Sequence, residues 1–149
     1  FAKFSERLGF GDQGTIAFHG LLKLAPVAAA IFAIEDGRPR VVAQLGQSAP
    51  GGGRFSNFGL WPAMSAPGTI AFAASVDDGP SPVIVVRTGR DGLYRVVGVG
   101  DQLPGGARIA SLTLLPVVSV GAAGAVSFAV APTATGGGPE GVFLAAPAP

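Results

Sequence analysis

A chain of 149 residues suits one domain of ordinary size or a short array of small units. It is 48% hydrophobic and only 13% charged, and its net charge of +1 leaves no electrostatic footprint for nucleic acid or anionic lipid. With no cysteine, disulfides, thiolate chemistry and Cys-based metal sites are all excluded. The 24 Gly and 13 Pro could suggest disorder, but disorder goes with low hydrophobicity and high net charge, the opposite of this chain. The composition fits an ordered chain with many tight turns.

The chain opens on FAKFSERL, read as a leading strand, and Phe1 is not an initiator Met. The expectation is a processed chain or a segment of something longer, with no signal peptide visible. GTIAF follows at 14–18, where Ile16 and Phe18 point to one face of a strand and Thr15 and Ala17 to the other. The Ala-rich stretch 24–34 is the best helix candidate, but Pro26 weakens it, and its AAIFAI segment at 29–34 reads as a strand. EDGRP at 35–39 is a turn, RVV at 40–42 a strand, and APGGGR at 49–54 a loop.

The same words then return in the same order. FSNF stands at 55–58, GTIAF at 68–72, the turn DDGPSP at 77–82, SPVIVV at 81–86, the turn GRDG at 89–92, and RVVGVGDQLPGGAR at 95–108. A third pass gives IASL at 109–112, GAVSF at 124–128 and GVFLAA at 141–146. The spacing of Phe1, Phe55 and Ile109 is constant, as is that of Phe4, Phe58 and Leu112. The stretch between Arg108 and Glu140 holds no charge, but Pro116, Gly121, Gly124 and Pro132 would interrupt a membrane helix of about 20 residues, and the repeat gives these residues strand roles.

The sequence therefore predicts an all-β chain, a single array over 1–149 of three tandem four-stranded antiparallel units of about 54 residues (about 1–54, 55–108 and 109–149). Each unit looks like a propeller blade, with the last one incomplete. Propellers typically close with four to eight blades, so closure is expected to need other copies, an open polymer or a sandwich instead.

The motifs Gly14, Ala17 and Phe18; Gly68, Ala71 and Phe72; Gly124 and Phe128; and GDQLPGG at 100–106 resemble those of bacterial secreted tandem-repeat proteins with an Asn-x-x-Gly-x-x-Ala-Phe signature. The chain departs from that signature at the Asn, which is Gly11, Ser65 and Gly121 here, and at Ser127 in place of Ala. The resemblance implies propeller-like repeats in an exported, surface-associated protein without assigned catalysis.

Candidates for chemistry are sparse. His19, the one histidine, follows GTIAF where the other units have Ala73 and Ala129, and is expected at a partly exposed strand end. Asp12, Asp77, Asp78, Asp91 and Asp101 could offer oxygens to calcium but lack the alternating spacing of a calcium loop and read as turn residues. Glu6, Glu35 and Glu140 occupy non-equivalent positions, with Glu35 and Asp36 read as a solvated turn. The Gly-rich loops lack the Lys and Ser/Thr of a phosphate cradle and lead into strands, so they read as turns. Trp61 and Tyr94 could stack a sugar or simply pack.

No cofactor, metal or catalytic residue is predicted. The expected function is that of a structural, self-associating extracellular or cell-surface protein, not an enzyme. It would assemble with copies of itself head-to-tail as a filament or ring, with Phe1, Phe4, Val142, Phe143 and Leu144 at the contact. In one form of that contact, the strand Phe1 to Arg7 of one copy pairs with the last unit of the next. The competing expectation is an extracellular propeller-type module that binds a glycan or peptide on its loops.

Overall fold

The computed structural model describes residues 3–23, 28–66, 68–79, 81–89, 92–112, 118–132 and 141–146. Phe1, Asp91, Glu140 and the 24–27 part of the helix candidate lie outside them. The described residues form three antiparallel sheets of four to five strands, with no α-helix and no closed barrel. Among the described residues, no helix is long and apolar enough to cross a membrane.

In the first unit, β1 (Lys3–Phe4) and β2 (Gly9–Phe10) both pair with one edge of β3 (Ile16–Leu21), which pairs with β4 (Ala29–Glu35), which pairs with β5 (Arg38–Gln44). The second unit repeats this with β6 (Arg54–Phe58) and β7 (Ala63–Met64) on β8 (Ile70–Asp77), then β9 (Val83–Thr88) and β10 (Gly92–Gly98). The third has β11 (Ile109–Ser111) and β12 (Ser119–Val120) on β13 (Val126–Pro132), then β14 (Gly141–Ala145). The expected four-strand order is present, but the first strand of each unit is split in two. In the second unit the break falls at 59–62, where Pro62 has no N–H to give a ladder.

The recurring words have structural causes. The glycine that opens each GTIAF-type word turns the chain into the strand at positive φ: +74° at Gly14, +85° at Gly68 and +79° at Gly124, where a Cβ would be strained. Asp36 and Gly37, both at positive φ, make the two-residue hairpin from β4 to β5. An extra residue bulges the first strand between Phe55 and Asn57 in one unit and between Ile109 and Ser111 in the next.

The two PGG loops are the same device. Gly46 N–H donates to the Phe55 carbonyl and Gly100 N–H to that of Ile109, each at 2.8 Å. Phe55 N–H returns to the Gln47 carbonyl at 3.0 Å, and Ile109 N–H to that of Asp101 at 2.9 Å. Arg54 and Arg108 guanidinium groups reach back to the Gly46 and Gly100 carbonyls at 2.7 and 2.8 Å. Each loop thereby ties the last strand of one unit to the first strand of the next.

The core consists of the contacts between sheets. Strand alternation gives each unit a face carrying the Phe of its GTIAF-type word and a face carrying the small residue beside it. Ala17, Ile31 and Ala33 of the first unit pack with Phe55, Phe58, Ile70 and Phe72 of the second. Ala71, Ala73, Ile84 and Val86 on the second unit's opposite face pack with Ile109, Leu112, Val126 and Phe128 of the third. The rule is the same at both steps: the Phe face of one unit seats on the small-residue face of the unit before it. Gly9 shows how close the first step is, since a Cβ there would lie 2.9 Å from the Pro62 carbonyl oxygen.

Candidate functional site

The two outer faces of the stack are the most distinctive surfaces. Register makes Val142 the counterpart of Ile84 and Ile31, and Leu144 the counterpart of Val86 and Ala33. At the inner steps these positions are covered: Ile31, Ala33 and Ile84 are 0% exposed and Val86 8%. On the third unit, Val142 is 78% and Leu144 70% exposed, with Ala129 exposed beside them.

The opposite end shows the complementary pattern. Phe4 is 52% exposed, although it meets Phe18 at a ring distance of 5.5 Å, whereas its counterparts Phe58 and Leu112 are 2% and 4% exposed. Phe10 is 66% exposed, while its counterparts Met64 and Val120 pack into the inner steps. Phe18, Phe32 and Ala30 form a small core beneath them, with Phe18 and Phe32 stacked at 5.4 Å.

Of the residues the sequence singles out for self-association, Val142 and Leu144 share the outer face of the third unit. Phe143 lies on the reverse face, stacked on Phe128 at 6.5 Å and turned toward the second unit. Phe4 lies at the far end, and the Lys3–Phe4 backbone is paired with Leu21 and Gly20 of its own chain. Among the described residues, no strand pairs with the outer edge of β14.

His19 is buried rather than partly exposed, because it lies on the small-residue face that the second unit covers. Burial pushes its pKa below the ordinary value. It lines a pocket of about 170 Å³ with Lys3, Ser5, Glu6, Leu60 and Trp61. Ser5 does not serve His19 as a nucleophile: its hydroxyl donates to the Arg7 carbonyl at 2.8 Å, and its Oγ faces the His19 backbone N–H at 3.4 Å. The Arg7 guanidinium sits 4.3 Å over the Trp61 ring.

Glu35 is not a solvated turn residue. Its carboxylate takes a hydrogen bond from Arg87 of the second unit, whose side chain is 7% exposed, and Arg40 lies 3.6 Å from its other oxygen. The pair crosses the first step between sheets. Glu35 has Thr88 as its counterpart and Arg87 has Ala145 at the second step, where a groove of about 590 Å³ opens between Thr69, Thr88, Tyr94, Val126 and Ala145.

Asp101 is engaged within the second PGG loop. Burial would raise its pKa, but the Arg95 guanidinium at 2.7 Å and the Gly98 N–H at 2.9 Å outweigh that and hold it below the usual carboxylate range. Among the described residues, no three His, Asp or Glu side chains stand together as a metal site. In the two Gly-rich loops the Ala49, Gly52, Leu103 and Gly106 N–H groups donate to backbone carbonyls of their own loop.

Fold and surfaces together define a tandem β-sheet stack with Val142 and Leu144 exposed on the third unit and Phe4 and Phe10 exposed on the first. The chain belongs to a family of unknown function, DUF7453, whose profile matches residues 1–142. No curated protein and no solved structure matches it. The Glu35–Arg87 pair has no signature in the sequence, whereas the exposure of Phe10 could have been sought by aligning it with Met64 and Val120.

Proposed function

We propose that this protein is a structural, self-associating β-repeat protein that assembles head-to-tail with copies of itself through its terminal units, outside the cell or at its surface. The observation that carries this reading is the exposure of Val142 and Leu144 at positions whose counterparts are sealed by a neighbouring sheet. Large side chains of that kind contribute about 1.5–3 kcal/mol each when fully buried, so leaving both in water forfeits a contact the repeat is built to make. The extracellular placement rests on the resemblance to secreted repeat proteins, and the absence of catalysis on the scarcity of assembled polar groups. A head-to-tail contact closes a ring or grows a filament according to the rotation per copy.

Light scattering with negative-stain electron microscopy tests it. The expected result is a mass that is a multiple of the chain's, seen as rings or filaments. A monodisperse monomer at all attainable concentrations would rule it out.

A second reading has its own support: the Trp61 pocket combines an indole with Lys3, Glu6 and His19, a lining suited to a glycan. Saturable glycan binding lost in Trp61→Ala, by a particle whose mass does not change, would favour that reading over assembly.

A further inference from the structure

Independently of how copies associate, we infer that the groove between the second and third sheets is a binding site for an uncharged carbohydrate, a mono- or disaccharide in size. The repeat supplies the comparison. At the first step, Thr15, Glu35, Gly68 and Arg87 line a cleft of about 220 Å³. Their counterparts at the second step, Thr69, Thr88, Gly124 and Ala145, line a groove of about 590 Å³. That volume falls within the range of about 300–1,000 Å³ typical of small-molecule sites.

The groove is open because of three replacements. At the first step the Glu35 carboxylate takes a hydrogen bond from Arg87, and Arg40 stands 3.6 Å from its other oxygen. Register makes Thr88 the counterpart of Glu35, Ala145 that of Arg87 and Tyr94 that of Arg40. Every charged member of the first cluster is therefore neutral at the second step, and the space of a guanidinium and a carboxylate is left to a methyl group and a hydroxyl.

The lining specifies the ligand. Val86, Val126 and Ala145 make its apolar wall, and Thr69, Thr88 and Tyr94 bring hydroxyl groups. None of these three hydroxyls has a hydrogen-bond partner among the described residues. Arg95 borders the groove, but its guanidinium is held by Asp101 at 2.7 Å, so it leaves no unmatched cation for an anionic ligand. The Tyr94 ring leans over Gly92, where a Cβ would lie 2.6 Å from its Cε2, and is 57% exposed. A sugar ring matches this surface: its C–H groups suit the electron-rich face of an aromatic ring, and its rim of hydroxyls can exchange hydrogen bonds with the two threonines.

The repeat also supplies the blocking variant. Thr88→Glu with Ala145→Arg places the charged pair of the first step in the groove, and Tyr94→Ala removes the aromatic wall. Trp61→Ala, in the separate pocket beside His19, is the control for location. Cellobiose, maltose and lactose are the neutral probes and digalacturonic acid the charged one. Saturation-transfer NMR and titration calorimetry read binding, with thermal midpoints as the folding control.

The expected result is saturable binding of at least one neutral disaccharide, weakened at least about tenfold in Tyr94→Ala and in the filled double variant. Trp61→Ala is expected to bind like wild type, and digalacturonic acid at least about tenfold more weakly than the neutral sugar. If no neutral disaccharide binds, or if Tyr94→Ala binds as wild type does, the inference is wrong. Loss of binding in Trp61→Ala with Tyr94→Ala unaffected would also overturn it and assign the sugar to the Trp61 pocket. Should the double variant fail to fold, Tyr94→Ala decides alone, because its exposed ring is not part of the core. The mass of the particle tests self-association separately, so either reading can fail without the other.

Discussion

At the scale of single residues, the repeat makes each departure from its pattern informative. His19 stands where the other units place Ala73 and Ala129, so an ionisable ring occupies a slot that the stack otherwise fills with a methyl group. Burial lowers its pKa in the folded chain, so the unfolded chain binds the extra proton first as pH falls. Stability from this site is therefore fully present above the unfolded pKa of about 6.5 and declines as pH drops through and below it. Urea midpoints at pH 7.5 and 5.0 check this: wild type is expected to lose stability over that interval more steeply than His19→Ala. An equal slope in the two proteins would contradict it.

Asp101 carries the same sign in a lower pH window: its pKa is lowered too, so its contribution is present above the ordinary carboxylate value and is lost as pH falls through and below it. Gln47 performs the same amide-capping task in the other loop, accepting from Gln44 N–H at 3.1 Å, so a neutral side chain already serves there.

At the scale of elements, the two steps between sheets differ in a charged pair. Glu35 and Arg87 cross the first step as a buried pair, and Thr88 and Ala145 stand at the equivalent positions of the second. Removing one partner leaves an uncompensated buried charge, so Glu35→Gln is expected to cost about 3–5 kcal/mol. Replacing both, as in Glu35→Thr with Arg87→Ile, which uses the residues found at equivalent places in the chain, is expected to recover most of that loss. A double-mutant cycle by chemical denaturation measures the difference; additive losses would mean that the two side chains act independently. None of this was legible in the sequence, where Glu35 and Arg87 are far apart and Glu35 beside Asp36 looks like any solvated hairpin turn. The pairing exists only because the sheets stack face to face in one register.

At the scale of the whole molecule, equivalent positions have different consequences because of where they fall in the stack. Ile84 is sealed between the second and third units, and Val142, at the same register position of the third, is open to water. Ile84→Ala is expected to cost about 2–5 kcal/mol, through lost burial and the cavity left behind. Val142→Ala is expected to change the stability of the isolated chain by no more than about 0.5 kcal/mol. Denaturant unfolding at concentrations too low for association compares the two, and a large loss in Val142→Ala would show that its face is covered within the chain.

What the sequence by itself determined is the unit and its recurrence. Strand words, turn glycines and loops are local, set by φ preferences and side-chain alternation that act over a few residues, so repeated words must fold alike. The burial of His19, the Glu35–Arg87 pair and the exposure of Val142 and Leu144 were decided only by the tertiary structure. Each depends on which sheet lies against which, and that contact joins residues a whole repeat apart, beyond the reach of any local preference.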